Sequence, residues 1–412
     1  MLEAFCSRTE ECEQLRSGPA GGYLDGFAEY LAHCRYRRQV GRILIHIAWH
    51  FASWASASRI SIRALDKVVL ERFGRHLSSC DCGRPNGGRG KYAKAGARQF
   101  LSFLSRCGVL SEQEDNAPLV PTLIQSFRDW MVQHRGVSER TLDDYGKRIV
   151  PLLNMLGDDP RCFQAQALRS FVLDYAREHS IKTTKYMITV TRMFLRYLAV
   201  EGKCAAGLEH AIPTLANWRL STLPCYVSGS DVEKIINSCD VNTAVGVRDR
   251  VILLLLSRLG LRSGDILGLR LSDIDWTEGS LVVSGKGSRQ SDLPLTQEVG
   301  DALLTYLKGR PAVDTDRVFV RVCAPIRPLK GPSSVAAIVQ RALLRAGVEA
   351  PTQGAHLLRH SAATEMLRQG VSLQDIQTVL RHRSIETTTI YAKVDVRLLK
   401  QIAQPWPEVN PC

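Results

Sequence analysis

Apolar residues recur along this chain at intervals of three and four, the period of helices that bury one face. The middle third shows the pattern most cleanly. Leu123, Phe127, Trp130 and Met131 make one apolar face. Leu142, Tyr145, Ile149 and Leu152 make a second, opened by Ser138-Glu139-Arg140-Thr141. Residues 183–199 predict a third helix, with Met187, Val190, Phe194 and Leu198 inward and Lys182, Lys185, Arg192 and Arg196 outward. In the last third, Ser230-Asp231-Val232-Glu233 reads as a capping box, and 248–259 as a buried helix. The period then changes. Residues 271–295 are strand-like runs broken by Thr277-Glu278-Gly279 and Gly285-Lys286-Gly287, which predicts a small antiparallel sheet. Helical patterns return at 297–308, 333–346, 355–369, 372–380 and 384–391. The predicted fold is mainly α with a small antiparallel β-sheet.

The first block echoes the middle one. Phe27-Ala28-Glu29-Tyr30-Leu31, then 40–54, then Ala97-Arg98-Gln99-Phe100-Leu101-Ser102-Phe103-Leu104 follow the order of Ser126-Phe127-Arg128-Asp129-Trp130-Met131, 142–155 and Arg192-Met193-Phe194-Leu195-Arg196-Tyr197-Leu198. Both stretches end near glycine, at Gly108 and Gly202. This predicts a diverged duplication of one helical domain. The expected division is 1–115 for the N-terminal helical domain, 116–204 for its middle counterpart, 205–227 for a linker holding Pro213 and Pro224, and 228–412 for a C-terminal α+β domain. Residues 82–94, rich in Gly, Arg and Lys, read as a loop able to touch phosphates.

Charge narrows the partner. The 412 residues carry 54 basic and 41 acidic side chains, a net +13, which suits a polyanion. No apolar run reaches the length of a membrane span, and the first residues lack the charge and apolar core of a secretory signal, so a cytoplasmic protein is expected. The twelve cysteines are scattered, and a reducing compartment makes free thiols the default. Cys80-Asp81-Cys82 with His76 upstream is the one metal-like cluster in the sequence, and without a second ligand pair it does not predict zinc.

The last third also spaces five basic residues and one tyrosine as a metal-free strand-transfer site would need: Arg262, Lys286, His356, Arg359, His382 and Tyr391. Phosphoryl transfer is mostly positioning plus neutralisation of charge on the equatorial oxygens. Arginine stays protonated and presents a planar fork to two oxygens, so Arg262 and Arg359 are the expected clamps. His356 and Arg359, three apart, share a helix face, and His382 can add a hydrogen bond. Any one of the six alone could be a surface cation or a core aromatic.

The surrounding text is more specific. Leu259-Gly260-Leu261-Arg262-Ser263-Gly264-Asp265, His356-Leu357-Leu358-Arg359-His360-Ser361-Ala362-Ala363-Thr364 and His382-Arg383-Ser384-Ile385-Glu386-Thr387-Thr388-Thr389-Ile390-Tyr391 resemble the three boxes of the tyrosine recombinase (phage integrase) family. The resemblance is strongest over 228–393 and reaches back to about 119. It implies a helical, SAM-like core-binding domain gripping DNA opposite an α+β catalytic domain. It implies Tyr391 as a nucleophile forming a 3′-phosphotyrosine, His356 as its base, Lys286 as proton donor to the leaving 5′-oxygen, and no metal, cofactor or ATP. His360 reads as a packing residue. The implied partners are double-stranded DNA recombination sites, bound by a homotetramer or a heterotetramer with related recombinases, with no membrane. Integration or excision of a mobile element is the expected setting. A type IB topoisomerase and a non-catalytic DNA-binding protein are the alternatives. Leu398, Leu399 and Ile402, beyond Tyr391, are candidates to dock on a neighbouring subunit. Three positions depart from the pattern: Asp265 for the commoner Glu, Leu259 for Thr, and Arg381 for the small Gly before His382.

Overall fold

The computed structural model describes residues 1–80, 90–110, 122–216, 223–284 and 290–394. The chain divides into two compact units, one joining Met1–Ser111 to Leu220–Cys412, the other Glu112–Arg219. The middle unit thus takes in the start of the stretch expected as linker, and Ile212 lies in its core.

The N-terminal block contains α1 (Thr9–Ser17), α2 (Gly21–His33), α3 (Arg38–Ala57), α4 (Lys67–His76) and α5 (Gly90–Arg106). The middle unit contains α6 (Thr122–Arg135), α7 (Glu139–Leu156), α8 (Ala165–Glu178) and α9 (Ile181–Val200). Each block closes over its own apolar core. The two follow one packing scheme. In the first, α2 packs on α3 and α5, and α4 on α3 and α5; α6, α7, α8 and α9 repeat those pairings in the same order, with α3–α5 matched by α7–α9. Phe27 meets Phe100 edge-on with ring centres 5.1 Å apart, and Phe127 meets Phe194 edge-on at 5.4 Å. Gly108 and Gly202, at φ +66 and +65, end the last helix of each, a left-handed turn that glycine takes without Cβ strain. The basic stretch expected as a loop changes at its end. Residues 90–94 open α5, where Lys94 pairs with Glu71, and 81–89 lie outside the described residues.

The C-terminal block contains α10 (Gly229–Asn237), α11 (Ala244–Ser257), α12 (Ser263–Gly268), β1 (Ile274–Asp275), β2 (Ser280–Ser284), β3 (Gln290–Pro294), α13 (Gln297–Lys308), α14 (Pro332–Ala346), α15 (His356–Arg368) and α16 (Leu373–Leu380). The sheet order is β1-β2-β3, antiparallel throughout, with Leu281 opposite Leu293 and Val283 opposite Ser291. α11 is buried nearly all round, from Val251 to Leu256, and α10, α13 and α15 pack on it.

Three local expectations change. The cap of α10 is Ser228, whose Oγ accepts from Asp231 N at 3.1 Å, rather than Ser230. α11 starts a turn earlier than its apolar pattern, capped by Thr243. The stretch 384–391 is not an α-helix but two 3₁₀ turns, Ile385–Thr387 and Thr389–Val394. Its run of threonines is β-branched and disfavours a continuous helix.

Candidate active site

The site is built where the end of α11, the start of α12, the face of α15 and the end of α16 meet. Gly260 turns the chain out of α11 at φ +57, and a Cβ there would stand 2.6 Å from Leu380 Cδ2. Any other residue here would have to take a left-handed φ and displace the Leu380 side chain, so glycine suits the position. The closeness serves Arg359. This side chain is 3% exposed, and its two Nη atoms donate to the carbonyl oxygens of Gly260 and Leu380. Arg262 Nη2 donates to Leu380 O at 3.3 Å and to Arg381 O at 2.9 Å. The last carbonyls of a helix have no partner within it and form its negative end. Here the end of α16 gathers both guanidinium groups.

Arg381, the departure before His382, explains itself and Asp265 together. It ends α16 in the left-handed region at φ 53, a conformation costing a non-glycine residue roughly 1 kcal/mol. Its Nη2 donates to Asp265 Oδ2 at 2.6 Å, both side chains being nearly buried. The same oxygen accepts from Arg262 N at 2.8 Å, fixing the start of α12. An aspartate at this position thus meets an arginine from across the site, so the two exceptions form one contact. Among the described residues, Nε and Nη1 of Arg381 are buried with no hydrogen-bond partner.

Three arginines around one carboxylate leave the pocket positively charged. Burial, then the charges of Arg262 and Arg381, lowers the Arg359 pKa to about 10. Burial also lowers that of Arg262, with Arg381 adding to the effect. The histidines respond likewise. His382, its Nδ1 2.8 Å from Thr388 Oγ1, is pushed down to about 4 by burial and then by Arg359 and Arg262. His356 reaches solvent at the start of α15, yet desolvation by the wall behind it, followed by Arg359 and Arg262, lowers its pKa as well. Both rings are neutral at pH 7 and can donate one hydrogen bond each.

Tyr391 lies on the second 3₁₀ turn, 1% exposed, packed with Ala363, Leu367, Ile376 and Leu380. Its hydroxyl is 2.7 Å from His360 Nδ1. Burial raises the phenol to about 12, against a smaller lowering by Arg359, while burial and then His356 and Arg359 push His360 down to about 4. Between two such groups the proton stays on the phenol. His360, expected only to pack beside the site, is therefore the direct partner of Tyr391. Its position one turn along α15 from His356 is the signal that could have identified it.

The structure brings Arg262, Arg359, His356 and His382 together around the end of α16, with Tyr391 beneath them. Lys286 lies outside the described residues, between β2 and β3; so do Leu398, Leu399 and Ile402. On α9 in the middle unit, Lys182 is exposed and Arg196 is 56% exposed, 3.7 Å from Glu209. Lys185 is half-buried. Arg192 is committed internally, donating to Ile212 O at 2.9 Å and Thr214 Oγ1 at 2.8 Å. Among the described residues no helix is long and apolar enough to cross a membrane.

Comparison with known proteins places this geometry. The Phage integrase family matches residues 226–397. The chain is 36% identical to the candidate integrase/recombinase y4rA of Sinorhizobium fredii over 95% of both chains. It is 30% identical to the tyrosine recombinase XerC of Alcanivorax borkumensis, over 68% of this chain and 91% of that one. Among solved structures, the XerH site-specific recombinase bound to its palindromic difH substrate superposes with TM-score 0.56 at 19% identity, covering 81% of this chain and 93% of that one.

Proposed function

The chain belongs to the phage integrase family of tyrosine recombinases and is a DNA recombinase, and from that premise we propose that it cuts and rejoins DNA at specific sites through a 3′-phosphotyrosine on Tyr391. The observation that carries this reading is the convergence of Arg262 and Arg359 on the Leu380 carbonyl, above a phenol already bonded to a histidine. A phosphodiester entering the pocket takes guanidinium donors from backbone carbonyls and satisfies the buried donors of Arg381. Tyr391 Oη attacks phosphorus, the bond to the 5′-oxygen breaks, and the charge of the transition state falls on Arg262, Arg359 and His382. The phenolic proton goes to a histidine; His360 is its partner at rest, and His356 is the base implied by the family pattern. Lys286 returns a proton to the leaving oxygen. Because phosphotyrosine keeps the phosphodiester energy, the reverse attack by a 5′-hydroxyl reseals the strand without ATP. In the resting site Tyr391 is sealed from solvent, so cleavage requires its 3₁₀ turn to leave its seat.

We further propose the expected setting: a tetramer holding two DNA sites, acting in integration or excision of a mobile element, with the N-terminal block a diverged copy of the middle DNA-gripping domain. Shared helix packing and the paired phenylalanine contacts support the duplication. The y4rA match spans nearly the whole chain, whereas the XerC match leaves about a third of it uncovered. Exposed Lys182 and Arg196 on α9 suit phosphate contact. The test is strand exchange between two short duplexes selected from a random pool by binding, in magnesium-free buffer. Recombination predicts a four-way junction intermediate and exchanged products. Relaxation of supercoiled DNA with no junction would instead make the chain a type IB topoisomerase.

A further inference from the structure

The two helical blocks differ most at one connection. Residues 179–180 join α8 to α9 in the middle unit, whereas 77–89 join α4 to α5 in the N-terminal block. Three potential metal ligands gather where that longer connection leaves α4. His50 comes from α3, His76 is the last residue of α4, and Cys80 follows four residues on. His50 Nε2 and Cys80 Sγ are 3.4 Å apart. The three ligating atoms all lie within 4.8 Å of one another. In a tetrahedral zinc site, Zn–S is about 2.3 Å and Zn–N about 2.0–2.1 Å, which places sulfur and nitrogen about 3.5 Å apart. The His50–Cys80 distance already has that value, and His76 needs a shift on the order of 1 Å.

The surroundings suit a metal rather than a solvated histidine pair. Phe73 meets the His50 ring edge-on at 5.3 Å, and Trp54 stacks on His76 at 5.6 Å. Such an apolar collar restricts water and holds ring orientation. Among the described residues, the hydrogen-bond partner of His50 is Cys80. A second cluster, Cys6, Glu11 and His46, has comparable spacing. There the carboxylate of Glu11 is taken by the Arg42 guanidinium and His46, a cation that would repel a metal ion.

We propose that His50, His76 and Cys80 bind one zinc ion that staples the head of the 77–89 connection to α3 and α4. Two imidazoles and a thiolate are a borderline-soft set that favours Zn²⁺ over Mg²⁺ or Ca²⁺. Cys82 lies outside the described residues, and the site rests on the three named ligands alone. The metal belongs to the helical N-terminal block and takes no part in strand transfer, so this inference stands independently of the chemistry assigned to Tyr391.

The experiment uses the full-length chain. Elemental analysis after zinc-supplemented expression and desalting is expected to find one zinc per chain. Apoprotein titrated with Co²⁺ alone is expected to develop a thiolate-to-cobalt charge-transfer band saturating at one equivalent. Cys80→Ser removes that band and His50→Ala or His76→Ala weakens Co²⁺ binding at least tenfold, while Cys6→Ser leaves both unchanged. Circular dichroism on each variant separates metal loss from unfolding, and the wild-type stoichiometry needs no variant at all. Wild type with no bound zinc and no cobalt band overturns the proposal. So does a band that survives Cys80→Ser or disappears with Cys6→Ser.

Discussion

Arg359 and Arg196 carry the same charge in opposite circumstances. Arg359 is 3% exposed and spans two backbone carbonyls, one in the turn after α11 and one at the end of α16. Arg196 is 56% exposed on a helix face, beside a single carboxylate. Burying a guanidinium is costly unless its donors are met, and two carbonyls meet those of Arg359 before any ligand arrives. An exposed cation costs little and offers attraction without precision. Under the proposed function, the C-terminal block is a preorganised clamp for one phosphate and the α9 face a general hold on the backbone of DNA.

The contrast can be broken most sharply at Arg359. Arg359→Ala should lower strand cleavage by about 10³-fold or more, the scale of arginines acting on a transferring phosphoryl group. Arg359→Lys keeps the charge yet cannot bridge Gly260 and Leu380, and should still lose on the order of 10²-fold. Single-turnover cleavage rates on nicked duplex decide this, and a lysine variant near wild type would mean that charge alone suffices. Next in size is the Arg381–Asp265 pair. Asp265→Asn leaves Arg381 buried without its counter-charge and should destabilise the chain by about 3 kcal/mol. Arg381→Gly removes that charge and relieves the left-handed strain, so adding it to Asp265→Asn should recover most of the loss. Denaturant unfolding of the two single variants and the double variant gives the coupling, and additive effects would show that the two exceptions are unrelated.

A pH scan probes the same buried charge. His360 and His382 are pushed down to about 4 from an ordinary 6.5. Between those values the unfolded chain binds more protons than the folded one, so stability rises with pH there. Their contribution is complete above 6.5, is lost as pH falls towards 4, and changes no further below it. His360→Asn with His382→Asn should flatten this slope, as followed by chemical denaturation at each pH; an unchanged slope contradicts the burial of these rings. The smallest effects belong to α9. Lys182→Ala and Arg196→Ala should each weaken DNA binding a few-fold and reduce the slope of log K against log salt by about 1. Arg192→Ala should instead lower stability, because its guanidinium is spent on Ile212 and Thr214. An Arg192 effect confined to binding would erase the distinction drawn between committed and exposed cations.

Much of this was legible in the sequence because it is written locally. The faces of α6, α7 and α9 follow from apolar spacing of three and four, and α13 and the turn at Gly279 follow from nearby residues alone. The three motif boxes likewise sit in short contiguous stretches. What the sequence hid is long-range. Arg262 reaches the carbonyls of residues more than a hundred positions away, and no local pattern announces that α16 will end against Gly260. Arg381 looked like a flaw in a glycine position until Asp265 was found opposite it. His360 faces Tyr391, which is carried by a 3₁₀ turn and not the expected helix. The His50–His76–Cys80 cluster was half visible: Cys80 and His76 stood close in sequence, and His50 arrived from another helix.

The central claim is that the phenol oxygen of Tyr391, buried at rest, becomes covalently joined to DNA in a pocket of fixed arginines. The most direct measurement is to incubate the protein with nicked duplex DNA in magnesium-free buffer, isolate the detergent-resistant adduct and identify the linked residue by peptide mass spectrometry. The expected result is a single nucleotide-bearing peptide containing Tyr391, joined through a 3′-phosphate, with Tyr391→Phe still binding DNA but giving no adduct. An adduct mapped to another residue, or one that persists in Tyr391→Phe, would contradict it.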